Sequence, residues 1–325
     1  MGMDNYPGGF KDGILIRGLP LHITHPGQVF WVSNSTVQLT NQRAGSDGND
    51  GSFNAPFATL DYAIGRCTAN RGDVIFIKPG HAESIASGTQ LNFDVAGVAI
   101  IGLGFGTKRP TFTFTTANTA TIPVSADNMS IQNCVFVGNF LSIAAAFTVA
   151  AASNFLLENN SFTDTSAILG FLSAVKTTVS TNSDGLTISK CYIKSDATTK
   201  TVAPIVVLNT MTGLTLVDNI VVQTVAQNNV SQFLSHAALV MTAARIERNM
   251  VYSVNTDTAT GACFVSTTAT TGSGIIKDNV VRALDIAAAI LITATAVQYG
   301  MFNNLYIGDG TMNSGFVLPA IGTDA

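Results

Sequence analysis

Along most of the chain, apolar and polar side chains alternate in short runs and do not recur with a helical period. Runs such as "DVIFIKPG" (73–80), "VAIIGLGFG" (98–106) and "TFTFTT" (111–116) have the two-residue period of half-buried strands, and several end at Gly or Pro. From residue 130 onward the runs themselves repeat. The segments "SIQNCVF" (130–136), "LLENNSF" (156–162), "TISKCYI" (187–193), "TLVDNIV" (215–221), "RIERNMV" (245–251), "IIKDNVV" (275–281) and "GMFNNLY" (300–306) align on one position. That position holds Cys134, Asn160, Cys191, Asn219, Asn249, Asn279 and Asn304, spaced by 26, 31, 28, 30, 30 and 25 residues.

Three residues before it the side chain is apolar in every copy: Ile131, Leu157, Ile188, Leu216, Ile246, Ile276 and Met301. Two residues after it the side chain is apolar again, from Phe136 and Phe162 through to Tyr306. A unit of this length cannot bury its own apolar side, but stacked units share one continuous core. Parallel stacking places equivalent positions about 4.8 Å apart, close enough for an inward-turned Asn to bond its neighbour. Cys at two rungs is small and tolerates burial. A β-sandwich would show strands every 8–12 residues or so without a long period. The pattern therefore predicts an all-β fold, a parallel β-helix over residues 53–310 with roughly nine coils between residues 73 and 307, of which "DVIFIKPG" and "VAIIGLGFG" are the first units.

One segment reads differently. In "TLDYAIGRC" (59–67), Leu60, Ala63, Ile64 and Cys67 share one helical face, Thr59 is placed as an N-cap and Asp61 suits the first turn. A short capping helix near 59–69, covering the first coil's open edge, is expected. Residues 1–52 lack the coil period and are read as an N-terminal docking arm and linker, with Ile14, Ile16, Phe30 and Trp31 as candidate anchors. Residues 311–325 form a C-terminal tail.

Composition narrows the function. Of 325 residues 46% are hydrophobic and 11% charged, and the net charge of −4 comes without a basic patch, which argues against nucleic-acid partners. No signal-peptide pattern opens the chain, and the longest apolar runs ("LSIAAAFTVAAA", 141–152, and "IAAAILITATAV", 286–297) are shorter than the roughly 20 residues that span a bilayer. No membrane partner is expected. Cys67, Cys134, Cys191 and Cys263 lie far apart, without zinc-ligand spacing, and are read as free thiols.

At this point a resemblance matters. "GSDGNDGSFNAPFATLDYAI" (45–64), followed by "RGDVIFIKPGHAESI" (71–85), resembles the opening of pectate-lyase-like right-handed β-helix proteins of tailed phages. "GILIRGLPLHITHPGQVFWVS" (13–33) resembles N-terminal segments of phage virion proteins. The resemblance covers about the first 90 residues and implies a virion protein assembled from the host cytoplasm.

The candidate chemical motifs each lack a required element. Asp47, Asn49 and Asp50 offer oxygen ligands, but an EF-type loop would need Glu where Ala58 stands, so the cluster reads as a flexible turn. "GLGFGTKRP" (102–110) leads into a strand rather than the helix of a phosphate loop, and Arg71-Gly72-Asp73 falls at a helix-to-strand handover. A glycosidase needs two facing carboxylates. Glu158 has no acidic partner on adjacent coils, while Asp218, Glu247 and Asp278 sit out of register beside Arg or Lys. "NTD" (255–257) lacks the companions of a polygalacturonase strip, and His22, His25, His81 and His236 are scattered. No cofactor motif and no catalytic constellation emerge, so the expectation is no enzyme. Ala-rich runs at 142–152, 235–244 and 286–296 suggest outer faces that other copies cover. The resulting expectation is a homotrimeric head decoration or cement protein that binds the major capsid protein or another virion protein. The alternative is a tailspike or fibre that binds or cleaves surface polysaccharide.

Overall fold

The computed structural model describes residues 15–16, 19–20, 27–35, 42–179, 182–196, 203–224, 231–236, 240–254, 262–266, 272–283, 291–292, 297–307 and 315–316. These residues form a parallel β-helix with three faces. The first face is an 11-stranded sheet running from Val29–Val32 and Val74–Ile77 through Ser130–Gln132, Leu156–Glu158, Thr187–Ser189 and Thr215–Val217 to Val297–Phe302. The second is a 10-stranded sheet from Ala82–Ile85 through Val135–Gly138, Tyr192–Lys194, Ile220–Gln223, Met250–Ser253 and Val280–Ala283 to Leu305–Ile307, closed by the antiparallel Gly315–Phe316. The third has 7 strands, from Ile122–Val124 through Phe147–Val149 to Leu291–Ile292.

Those strands delimit about 6 complete turns, fewer than the roughly nine expected. At both ends of the stack the first and second faces continue where the third has no named strand.

The turn from first to second face explains the repeat. The residue before each ladder position adopts a left-handed conformation: Asn133, Asn159, Lys190, Asp218, Arg248, Asp278 and Asn303 lie at φ from 53° to 59°. That kink turns the next side chain inward. Asn160 Oδ1 accepts from the Cys134 N–H at 2.9 Å, and its Nδ2 donates to the Ile131 carbonyl at 2.8 Å. From Cys191 the ladder runs without interruption: Asn219 Oδ1 accepts from the Cys191 N–H, and Asn249, Asn279 and Asn304 each serve the rung before. Each buried amide thereby satisfies backbone groups that would be costly to orphan. Cys191 interrupts the series because a thiol cannot replace both halves of a carboxamide.

Inside the ladder, Phe112, Phe136 and Phe162 stack on the second face, with centroids 5.6 and 5.1 Å apart. Phe147 meets Phe136 edge-on at 4.9 Å from the third face, so aromatic rings fill the middle of the prism. A second, carboxylate-based ladder holds the opposite corner. Asp164 accepts from the N–H groups of Phe171 (2.9 Å) and Asp196 (2.8 Å), and Asp196 accepts from the Thr224 N–H (3.0 Å) and hydroxyl (2.9 Å).

The capping helix α1 spans Leu60–Gly65, with Thr59 as its N-cap and Leu60, Ala63 and Ile64 buried. The Asp/Gly cluster before it is a hydrogen-bonded turn rather than a flexible joint. Asp47 accepts from the N–H groups of Ala58 (2.9 Å) and Thr59 (3.0 Å) and from the Thr59 hydroxyl (2.9 Å). Asn49 donates to the carbonyls of Ala44 (2.9 Å) and Pro56 (2.8 Å), and Asp50 accepts from the Ser52 N–H (2.9 Å).

The boundary expected at residue 52 also moves. Val29–Val32 pairs in parallel with Val74–Ile77, and the Trp31 N–H donates to the Gly51 carbonyl at 2.8 Å. Residues 27–35 and 42–52 thus belong to the solenoid. A Cβ at Gly27 would lie 1.9 Å from the Gly72 carbonyl oxygen, and one at Gly45 only 1.6 Å from that of Ser33. Glycine is what permits this close docking.

Candidate functional site

Two outer features of the solenoid stand out among the described residues. The first is the outward row one residue after the ladder. In the early coils it holds Ala82, Thr111, Val135 and Ser161; from the fifth strand onward it is wholly apolar. Tyr192 (40% exposed), Ile220 (41%), Met250 (49%) and Leu305 (37%) are aligned on successive strands, with half-buried Val280 between the last two. The parallel row two residues on carries Lys194, Val222, Tyr252 and Arg282. Both cations are occupied: Lys194 pairs with Asp196 at 2.9 Å, and Arg282 lies over the Tyr252 ring at 4.6 Å. This is a stripe about 19 Å long at the strand spacing. A contiguous apolar face of that kind marks an interaction surface or an aggregation hazard.

The second feature is the edge between first and second faces. There Lys190 pairs with Glu158 at 2.7 Å, and Arg248 grips Asp218 through two bonds of 2.7 and 2.9 Å. Glu247, nearly buried, receives Arg245 at 2.9 Å, Arg248 at 3.3 Å and Lys277 at 3.9 Å. The Arg245 hydrogen bond holds the Glu247 carboxyl below its ordinary range against a burial penalty, and Arg248 does the same for Asp218. Two of the three carboxylates read as out of register are therefore linked. Arg248 joins Asp218 to Glu247, while Asp278 accepts from the Asn303 amide at 2.5 Å. Pairing of this kind favours the charged forms, and a proton-transfer role would need a ligand that displaces a partner.

The expected docking anchors lie elsewhere than on a free arm. Phe30 sits against Phe57 (5.7 Å), and Trp31 contacts Phe53 (4.9 Å) and Phe76 (5.0 Å). Both are half-buried parts of the first coil, because strand pairing with Val74–Ile77 holds them there. Ile16 is in a two-residue strand paired antiparallel with Leu19–Pro20, and Ile14 lies outside the described residues, as do His22, His25 and the 255–257 tripeptide.

The Arg71-Gly72-Asp73 tripeptide is structural. Buried Asp73 receives Arg71 through two bonds of 2.7 Å, and also the N–H groups of Gln28 (2.6 Å) and Thr68 (2.7 Å). The Ala-rich run at 286–296 lies outside the described residues apart from 291–292, whereas the run at 142–152 gives a correction too. Ala145, Ala146 and Ala152 are buried, since they form corners where small side chains point into the core, and only Ala144 and Ala151 of that run are exposed. Among the described residues, no three His, Cys, Asp or Glu side chains gather as metal ligands, and no helix is long and apolar enough to cross a membrane.

No protein-family model matches the chain, and no curated protein matches it in sequence. Among solved structures it is similar to a rhamnogalacturonan lyase, at 13% identity and a TM-score of 0.47, covering 79% of this chain and 70% of the other. It is also similar to the GH136 lacto-N-biosidase from Eubacterium ramulus, at 9% identity and a TM-score of 0.25, covering 87% of this chain and 69% of the other. The expectation of no enzyme does not stand, since the first of these is a rhamnogalacturonan lyase.

Proposed function

We propose that this chain is a structural rod of a tailed-phage particle, a homotrimeric decoration or cement protein of the head that contacts the major capsid protein or another virion protein. The observation that carries the reading is the apolar stripe of Tyr192, Ile220, Met250 and Leu305, which a neighbouring copy with the same rung spacing can match rung for rung. Because the coil beneath it is locked by buried ladders, the stripe is preformed and little ordering entropy opposes association. The N-terminal resemblance to virion proteins supplies the particle context. Light scattering at micromolar concentration should give three times the chain mass, and antibody labelling of particles should mark the head. A monomeric mass would remove the trimer, and label confined to the tail would remove the head assignment.

The charged edge favours a second reading, a tailspike or fibre β-helix that binds or cleaves an acidic polysaccharide. Lys190, Arg245, Arg248 and Lys277 line that edge on neighbouring coils. Incubation with uronate-containing polysaccharides, followed by chromatography for shortened chains, tests it. Unchanged chain length and no binding would eliminate it.

A further inference from the structure

His81 is buried beneath the capping helix, and both its ring nitrogens are committed. Nδ1 accepts from the Asn34 backbone N–H at 3.1 Å, which fixes the proton of the neutral ring on Nε2. Nε2 faces Glu83 Oε2 at 3.2 Å, and the same oxygen accepts from the Leu60 N–H, at the first turn of α1, at 3.2 Å. Asn34 reaches further. Its side-chain Oδ1 accepts from the Ala82 N–H at 2.9 Å, and its Nδ2 donates to the Ala82 carbonyl. A side-chain amide thereby imitates a strand and closes the start of Ala82–Ile85, the first strand of the second face. One imidazole thus ties together the N-terminal strand, the capping helix and the edge of the solenoid.

We propose that His81 is the proton-sensitive catch of this latch. With Nε2 already protonated, a proton from solvent can enter only at Nδ1. That turns an acceptor into a donor facing the Asn34 N–H, and the two donors must separate. Asn34 then leaves, its amide comes off Ala82, and the edge of the second face opens. The imidazolium is simultaneously drawn toward Glu83 and competes with the Leu60 N–H for the same oxygen, which loosens α1.

The other groups facing the node modulate this. Glu83 lies on the same strand. Asp61 on α1 has its carboxyl raised mainly by burial, with the charges of Asp94 and Glu83 adding. The Phe112 ring, with its centroid 5.8 Å away on the next coil, brings no charge. Lys78, three residues earlier, turns its ammonium to the Phe53 carbonyl.

Hydrogen exchange of the full chain between about pH 5 and pH 8, corrected for intrinsic rates, tests the latch. Protection at residues 28–35 and 81–85 should fall about tenfold toward the acid end of that range, while the coils around Leu157 and Ile188 stay unchanged. His81→Gln should abolish the response, whereas Glu83→Gln should keep it. Equal protection at both pH values, or a response that survives in His81→Gln, overturns the proposal. Should His81→Gln not fold, ring-nitrogen resonances of the native chain decide: an imidazole that stays neutral while residues 28–35 lose protection also overturns it.

Discussion

Asn249 Oδ1 accepts two hydrogen bonds from Asn219, one from its backbone N–H and one from its side-chain amide, each at 3.0 Å. Its own amide nitrogen donates to the Leu216 carbonyl at 2.9 Å. One side chain therefore satisfies three buried polar groups of the coils before it. Asn249→Ala removes this partner from the Asn219 N–H and the Leu216 carbonyl, and leaves the Asn219 amide only its bond to the Ile188 carbonyl, in a core that water does not reach. The expected loss is about 3 kcal/mol or more, read from urea unfolding. Asn160→Ala should cost roughly 1 kcal/mol less, because the rung before it is Cys134 and carries no amide to orphan. Equal losses would mean that the ladder does not act through its side-chain pairs.

Cys191 is where the ladder breaks, and the break is repairable. Its sulfur lies 3.6 Å from the Leu157 carbonyl, the place where other rungs put an amide N–H. Burial pushes its thiol up to about 12, as it does for Cys134 and Cys263. These thiols stay protonated at neutral pH and should react with iodoacetamide only on unfolding. Cys191→Asn should join the two ladder segments and stabilise the fold by about 1 kcal/mol. A lower urea midpoint would show that the pocket cannot hold the larger side chain.

What the sequence displayed and what it hid follow from these rungs. The ladder was legible because one backbone demand, a small inward hydrogen-bonding side chain, recurs with apolar residues at fixed offsets. The left-handed residue just before it was not, since Asn159, Lys190, Asp218 and Arg248 meet the same φ with different chemistry. The apolar stripe sits one residue after the ladder, where Ser161 and Tyr192 occupy the same position, so no constant residue type marked it. Phe30 and Trp31 were misread because an apolar residue in an uncharged segment looks alike whether it meets a partner or its own first coil. Only the pairing of Val29–Val32 with Val74–Ile77 distinguishes the two cases. The linkage at the charged edge is invisible in the sequence because Arg248 joins Asp218 and Glu247 through space, across coils.

Lys78 is buried beside Trp31 and Phe53, its ammonium 3.8 Å from the Phe53 ring centroid, and burial lowers its pKa to about 8. Its ordinary value of 10.5 applies in the unfolded chain. Between these limits the unfolded state binds more protons, so this group makes stability rise as pH climbs from about 8 to 10.5. Below about 8 the penalty is constant. Lys78→Met keeps the packing and removes the penalty, but forfeits the cation–π contact and the bond to the Phe53 carbonyl. The net gain expected at neutral pH is on the order of 1 kcal/mol, shrinking toward zero above about pH 10. Thermal unfolding of both proteins across that range checks it, and a gain independent of pH would place its cause elsewhere.

Ile220 is the centre of the exposed stripe, in register with Tyr192 before it and Met250 after it. Its side chain points away from the core, whereas the next residue, Val221, is fully buried. A charge at position 220 should leave folding nearly untouched, within about 0.5 kcal/mol, because it meets water in the free chain. At a packed interface between copies the same charge would be desolvated without a partner, which costs several kcal/mol. Ile220→Asp should therefore raise the dissociation constant of the assembly at least about a hundredfold while its unfolding midpoint stays put. The neighbouring Thr163→Asp, on an early coil outside the stripe, should change neither. Sedimentation of the two variants at matched concentration separates the outcomes, since an assembly that survives Ile220→Asp must be held by another face.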